Sequence, residues 1–301
     1  MTGPSAPPDR SLINTTHSQP FLPPAEAKAM PSADRLARLF LLPLGLFVLA
    51  FFLLPMVRLV AVAGAGPNGA WEYLALITNA RHFGTLIATL VLSAATTAVT
   101  LAIGVVVALF LGRNRFPGQS ALVAMLTLPL AFPGVVVGFM VILLAGRQGL
   151  IGGLTQQMGM GRLVFAYSMA GLLAGYVYFS LPRVLVTLLA AVEKLDPALE
   201  EAARSLGASR AQVLRDVILP GIAPSLMASG AIAFATAMGA FGTAFTLATR
   251  IDVLAMTIYT EFTLNANFAS AAALSIALGL ITWGVLAATR NLSGDRVAAA
   301  G

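Results

Sequence analysis

The chain has 301 residues, 58% of them hydrophobic and only 10% charged, and its 18 Lys and Arg against 12 Asp and Glu give a net charge of +6. A soluble domain sits nearer half apolar and a quarter charged, so this composition excludes an ordinary globular protein and points to a bilayer. The absence of cysteine excludes disulfides and thiolate metal sites, and basic residues scattered singly between apolar runs argue against a nucleic-acid partner.

Residues 1–36 are rich in Pro, Ser and Ala without hydrophobic periodicity and are expected to form a disordered cytoplasmic tail. The first long apolar run starts only at residue 39, too late for the core of a signal peptide. Six runs are long and apolar enough to cross a bilayer, which takes about 20 residues. They are 39–57, 85–111, 120–145, 164–181, 222–248 and 268–289. Residues 37–290 are therefore expected to form one transmembrane domain, and 291–301 a short cytoplasmic tail. With the N-terminus inside, thirteen Lys and Arg fall on inner segments. Only Arg58, Arg81, Arg147, Arg162 and Arg250 fall outside. This positive-inside bias places both termini in the cytoplasm.

The third run contains LPLAFPG, in which Pro129 and Pro133-Gly134 interrupt the helix. Freed backbone groups at membrane depth are tolerated where they line a cavity, which makes Pro133 a candidate for the translocation path alongside the plainer reading of a packing kink. Tyr178 in the fourth run is a further candidate. Between the fourth and fifth runs lies a charged block, residues 196–220, on the cytoplasmic side. Asp196-Pro197 opens a helix. Leu199, Ala202, Ala203 and Leu206 then recur at helical spacing as one apolar stripe, with Glu200 and Arg204 paired on the other face. Gly207 ends this helix, Ser209 and Gln212 have capping-box spacing for a second, and Pro220 is expected to end that one. The sequence thus describes an all-α membrane protein: a six-helix transmembrane bundle with a cytoplasmic helix–turn–helix. On periodicity alone the block also suits a helix pair lying on the membrane surface.

The spelling of the block adds a resemblance. Glu201-Ala202-Ala203, three residues, Gly207, nine residues, then Val217-Ile218-Leu219-Pro220 resembles the EAA motif of binding-protein-dependent ABC importer permeases, with Val217 in the place of an isoleucine. The resemblance implies that Glu201, Ala202, Ala203, Gly207, Val217, Leu219 and Pro220 couple the chain to a partner ATPase. It further implies two ABC ATP-binding subunits, a second permease subunit, identical or related, a periplasmic or extracellular substrate-binding protein, and a bacterial inner membrane. The segment MGAFGTAFTLATR at 238–250 is similar to one in permeases for sulfate, molybdate, iron, polyamines and phosphonates, with Ala240 where an acid is common; Phe241 and Thr243 in it are candidates for the gate alongside the plainer reading of helix packing.

Chemistry argued from absence agrees. None of the six runs holds Asp, Glu, Lys, Arg or His, which a proton or ion relay would need. Neither lysine, Lys28 or Lys194, follows a glycine, so the chain has no P-loop. Two distant histidines, His17 and His82, cannot assemble a metal or catalytic centre. The chain itself is therefore expected to be no enzyme and to hold neither metal nor cofactor, ATP and magnesium belonging to the partner. A secondary carrier or channel without an ATPase is the alternative.

Overall fold

The structure, a computed structural model, describes residues 41–247 and 252–298 and, singly, Gly3. Apart from Gly3, the expected tail at 1–36 falls outside the described residues, as do Arg250 and the end of the fifth run. The chain divides into two units, Met1–Leu54 and Pro55–Gly301. In the first, the described residues 41–54 are helical and exposed.

Among the described residues no strand occurs, and six helices are long and apolar enough to cross a membrane. They are α1 (Leu41–Gly64), α2 (Ala80–Arg113), the pair α4 (Gly134–Ala145) and α5 (Leu150–Gln157) taken together as Gly134–Gln157, α6 (Met169–Lys194), α8 (Arg210–Met238) and α11, whose apolar part is Phe268–Asn291. Shorter helices are α3 (Gln119–Thr127), α7 (Pro197–Ser205), α9 (Phe241–Leu247) and α10 (Leu254–Tyr259).

The second unit exposes large apolar side chains and buries small hydroxyl residues beside its apolar cores. Val106 on α2 and Leu143 on α4 are 67% and 71% exposed, while Thr89, Ser93, Thr96 and Thr100, spaced along one face of α2, are at most 1% exposed. Large apolar side chains outside and small hydroxyl residues between helices suit a lipid solvent, which offers no hydrophobic drive for leucines to hide from it. Close approach follows. A Cβ on Gly104 or Gly112 of α2 would stand 2.9 Å from Val184 and 2.7 Å from Val192 of α6. The inner core joins α2, α6 and α8 through Ala108, Leu188, Val192, Val213 and Ile222. A second core gathers Val141, Leu172, Tyr176, Ala244 and Leu247 from α4, α6 and α9.

Several boundaries differ from the sequence reading. Residues 120–145 are not one helix. After α3, a short 3-10 turn spans Leu128–Ala131 and Phe132 and Pro133 are extended before α4 starts. Proline removes a backbone donor and holds its predecessor out of the helical region. Helix α6 begins at Met169, not 164, with Ser168 as its cap rather than a residue of the span, and continues to Lys194 through Pro182. Arg183 is therefore inside a helix, exposed, with its guanidinium 4.9 Å over the Phe179 ring. Likewise α2 includes Arg81 and a buried His82 in its first turn. The helices outrun the apolar runs because a backbone hydrogen-bond ladder does not stop at the edge of hydrophobicity.

Pro220 does not end the second helix of the charged block. Helix α8 runs unbroken from Arg210 to Met238, with a π turn at Leu214–Ile218 in which Leu219 N donates to Leu214 O. Pro220 sits at the start of the α-helical part that follows, where a missing donor is tolerated. The second amphipathic helix is thus the N-terminal part of the fifth long helix. That helix in turn stops at Met238, and α9 restarts at Phe241, so 222–248 is broken at Gly239-Ala240.

Candidate functional site

The charged block forms a capped turn. Asp196 Oδ1 accepts from Ala198 N at 2.9 Å and Pro197 occupies the first turn of α7. The exit is a Schellman turn: Gly207 N donates to Arg204 O at 2.9 Å, Ala208 N to Ala203 O at 3.1 Å, and Gly207 has φ +87°. Ser209 and Gln212 exchange both bonds of a capping box as α8 begins.

The face that α7 turns inward is not the one its apolar spacing selects. Of the four stripe residues only Ala203 packs on the inner core. Leu199 and Leu206 are 53% and 90% exposed. The inward residue is Glu200, 7% exposed, paired with the Arg113 guanidinium at the end of α2 and 3.5 Å from Arg204 Nη2. Glu201 and Ala202 face outward beside the leucines. The rest of the motif lies in α8, where Val217 and Leu219 pack on the same core and Pro220 is exposed. The block therefore presents an outward face of Leu199, Glu201, Ala202 and Leu206, displayed by a turn whose backbone bonds are met. The Glu200–Arg204 pair expected from helical spacing is present; sequence spacing missed Arg113, because it carries no sign of which distant cation an acid meets.

The second candidate region is the pair of breaks before α4 and α9, which lie together. Thr243, 1% exposed, donates its Oγ1 to Gly134 O at 3.0 Å. A Cβ on Gly175 of α6 would stand 2.8 Å from Thr243 Cγ2, so three helices meet at this threonine. Tyr176 OH donates to Ala240 O at 2.7 Å, satisfying a carbonyl that the α8–α9 break frees. Phe241 stacks with Phe245 and Tyr259, each at 5.3 Å between ring centroids. Pro133 is exposed at the break. The structure brings Pro133, Phe241 and Thr243 to one locality. Tyr178 is instead 39% exposed, two residues from buried Tyr176, on another side of α6. Which tyrosine turns inward depended on the rotation of α6, which a helix apolar all round does not reveal. A Tyr176→Phe chain is expected to lose about 1 kcal/mol of stability, read as a lower unfolding temperature in detergent, because Ala240 O is left unpaired.

At the N-terminal end of α2, Arg81 Nη2 and Asp252 Oδ2 form an exposed pair at 3.3 Å, and His82 Nε2 lies 3.8 Å from Glu261 Oε1. Asp252 and Glu261 thus lie beside the first turn of α2.

Residues 100–293 match the profile of a family described as "Binding-protein-dependent transport system inner membrane component". The chain is 32% identical over 224 residues to the sulfate transport system permease protein CysT of Salmonella typhimurium, covering 73% of this chain and 79% of that one. It is 35% identical to the molybdenum transport system permease protein ModB of Escherichia coli, covering 61% and 82%. Against sulfate permease 2, chloroplastic, of Chlamydomonas reinhardtii it is 34% identical over 79% of this chain, and it spans 64% of that relative's length. A chain in the crystal structure of a bacterial alginate ABC transporter, with an alginate pentasaccharide-bound periplasmic protein, superposes with a TM-score of 0.76 at 21% identity, covering 87% and 95%. That likeness is one of fold.

Proposed function

Because the chain belongs to the family of binding-protein-dependent transport system inner membrane components, and is thereby a multi-pass membrane transport subunit, we propose that it is the permease of an ATP-driven importer of a small oxyanion. Its place is the bacterial inner membrane, with both termini and α7 in the cytoplasm. A second permease chain completes the path, two ATP-binding subunits supply the energy, and a substrate-binding protein delivers the solute from outside. The relatives named for sulfate and molybdenum, at 32% and 35% identity, support the solute class.

The observation that carries this reading is the outward face of α7. Two exposed leucines on a short helix whose ends are both capped are a surface prepared for a partner. Burying a leucine contributes about 1.5–3 kcal/mol, so the pair supplies a useful part of a docking energy. Glu201 beside them adds a charge that a basic groove would pair. Pro133, Phe241 and Thr243, at broken helices in the apolar part of the chain, are assigned to the translocation path. Nothing in the chain hydrolyses ATP; that step belongs to the partner.

Proteoliposomes carrying this chain, its ATP-binding subunit and its binding protein are expected to accumulate labelled sulfate or molybdate only when ATP is present on the side bearing residues 196–220. Uptake driven by a proton or sodium gradient without the ATPase would establish a secondary carrier instead. In the same system Leu206→Asp is expected to weaken retention of the ATP-binding subunit at least about tenfold, because each 1.4 kcal/mol lost is a factor of ten. Affinity purification at graded ATPase concentrations measures it.

A further inference from the structure

Arg113 is the last residue of α2, where the helix dipole favours a cation, and Glu200 lies in the first turn of α7, where it favours an anion. Eighty-seven residues apart in sequence, their side chains meet, both largely buried. The same guanidinium donates through Nη1 to Leu195 O at 3.4 Å, at the end of α6, while Arg204 takes the other carboxylate oxygen of Glu200. Arg113 Nε is buried without a hydrogen-bond partner. One planar fork thus ties the ends of α2 and α6 to α7.

A buried ion pair adds little net stability, since desolvation offsets its attraction; what it fixes is geometry. Geometry is what α7 lacks elsewhere. Leu199, Glu201, Ala202 and Leu206 face away from the bundle, and Ala203 alone of the stripe packs against it. The far end of α2 is tied as well. The helix has 34 residues, about 51 Å, and near its outer end Leu254 N donates to Thr89 Oγ1 at 2.8 Å and His82 approaches Glu261. Helix α2 therefore runs from α7 to α10 and the turn after it.

We propose that Arg113 is a positioning residue that locks α7 to α2, so that displacement of α7 is carried as a rigid-body movement along α2 to the outer contacts at Leu254 and Glu261. This rests on the reading that α7 docks an ATP-binding subunit. The chain has no cysteine, so spin labels at Val106→Cys on α2 and Ser205→Cys on α7 report their separation in the assembled complex, nucleotide-free and trapped with ATP and vanadate. With Arg113 and Glu200 present, one sharp distance is expected in both states. In Arg113→Met/Glu200→Met, which removes both charges of the buried pair, the distance is expected to shift by several ångströms on trapping, with the unfolding temperature little changed. Glu200→Gln, which keeps the shape, is expected to shift in the same direction by less. A double variant that keeps the sharp, unshifted distance in both states overturns the lock. If the intact chain retains no ATP-binding subunit, the docking reading fails by itself. The nucleotide-free distribution still decides on the lock, broadening in the double or single variant if Arg113 fixes α7 and staying sharp if it does not.

Discussion

A chain carrying Gly207→Pro is expected to reach the membrane and pack its long helices, yet to lose its ATP-binding subunit on purification. Gly207 has φ +87° and its N–H donates to Arg204 O. Proline fixes φ near −65° and has no N–H, so it can supply neither. The turn must reopen, at a cost on the order of 3 kcal/mol, and Leu206 and Glu201 leave the position in which α8 and the turn now hold them. The long helices do not depend on the turn, because α8 has its own capping box at Ser209. Gly207→Asn separates conformation from identity, since asparagine tolerates the left-handed region. It is expected to keep most of the bound subunit. Size-exclusion profiles of the permease with its partner, in each variant, measure the outcome.

The second large effect lies at the crossing of α4 and α9. A Cβ on Gly138 would overlap the Thr246 side chain, and Thr246 is itself fixed by donating to Gly242 O and Thr243 O. The added Cβ would also stand 2.8 Å from Thr246 Cβ, which no side-chain rotation moves, so the two helices must separate. Gly138→Val is expected to destabilise the chain by about 3 kcal/mol, the upper range for overpacking a filled core, and to abolish transport because Thr243 and Gly134 part as well. Gly84→Ala is the control. It lies in α2 with nothing within 4 Å of its would-be Cβ, and it is expected to be neutral or stabilising by about 0.5–1 kcal/mol. Thermal unfolding of the detergent-solubilised chains reads both.

The contrast between these glycines shows what was legible in the sequence. Gly207 announced its role, because local rules for caps and turns act within a few residues; Asp196, Pro197, Ser209 and Gln212 were legible for the same reason. Gly138 did not, since its tightness comes from Thr246, more than a hundred residues away. The apolar stripe of α7 was legible as a pattern, but which side it would face was not. Periodicity records that a surface will be covered, not whether the cover is the same chain. Pro220 misled because a π turn accommodates it, and nothing in the spelling LRDVILP marks a π turn. Span counting succeeded for the number of long apolar helices and failed at their ends, where helices continue into polar sequence at Arg183, Lys194 and Arg210.

The most direct measurement of the central claim uses a photo-crosslinking benzoylphenylalanine in place of Leu206, with the same group at Val106 as a comparison, in cells that also express the ATP-binding subunit. Both positions are exposed, Leu206 at 90% and Val106 at 67%, so both can react. A crosslink from position 206 to the ATP-binding subunit is expected, and none from position 106. Capture of lipid, or of nothing, from position 206 in a complex that still transports would make α7 a membrane-surface helix and contradict its role as the docking element.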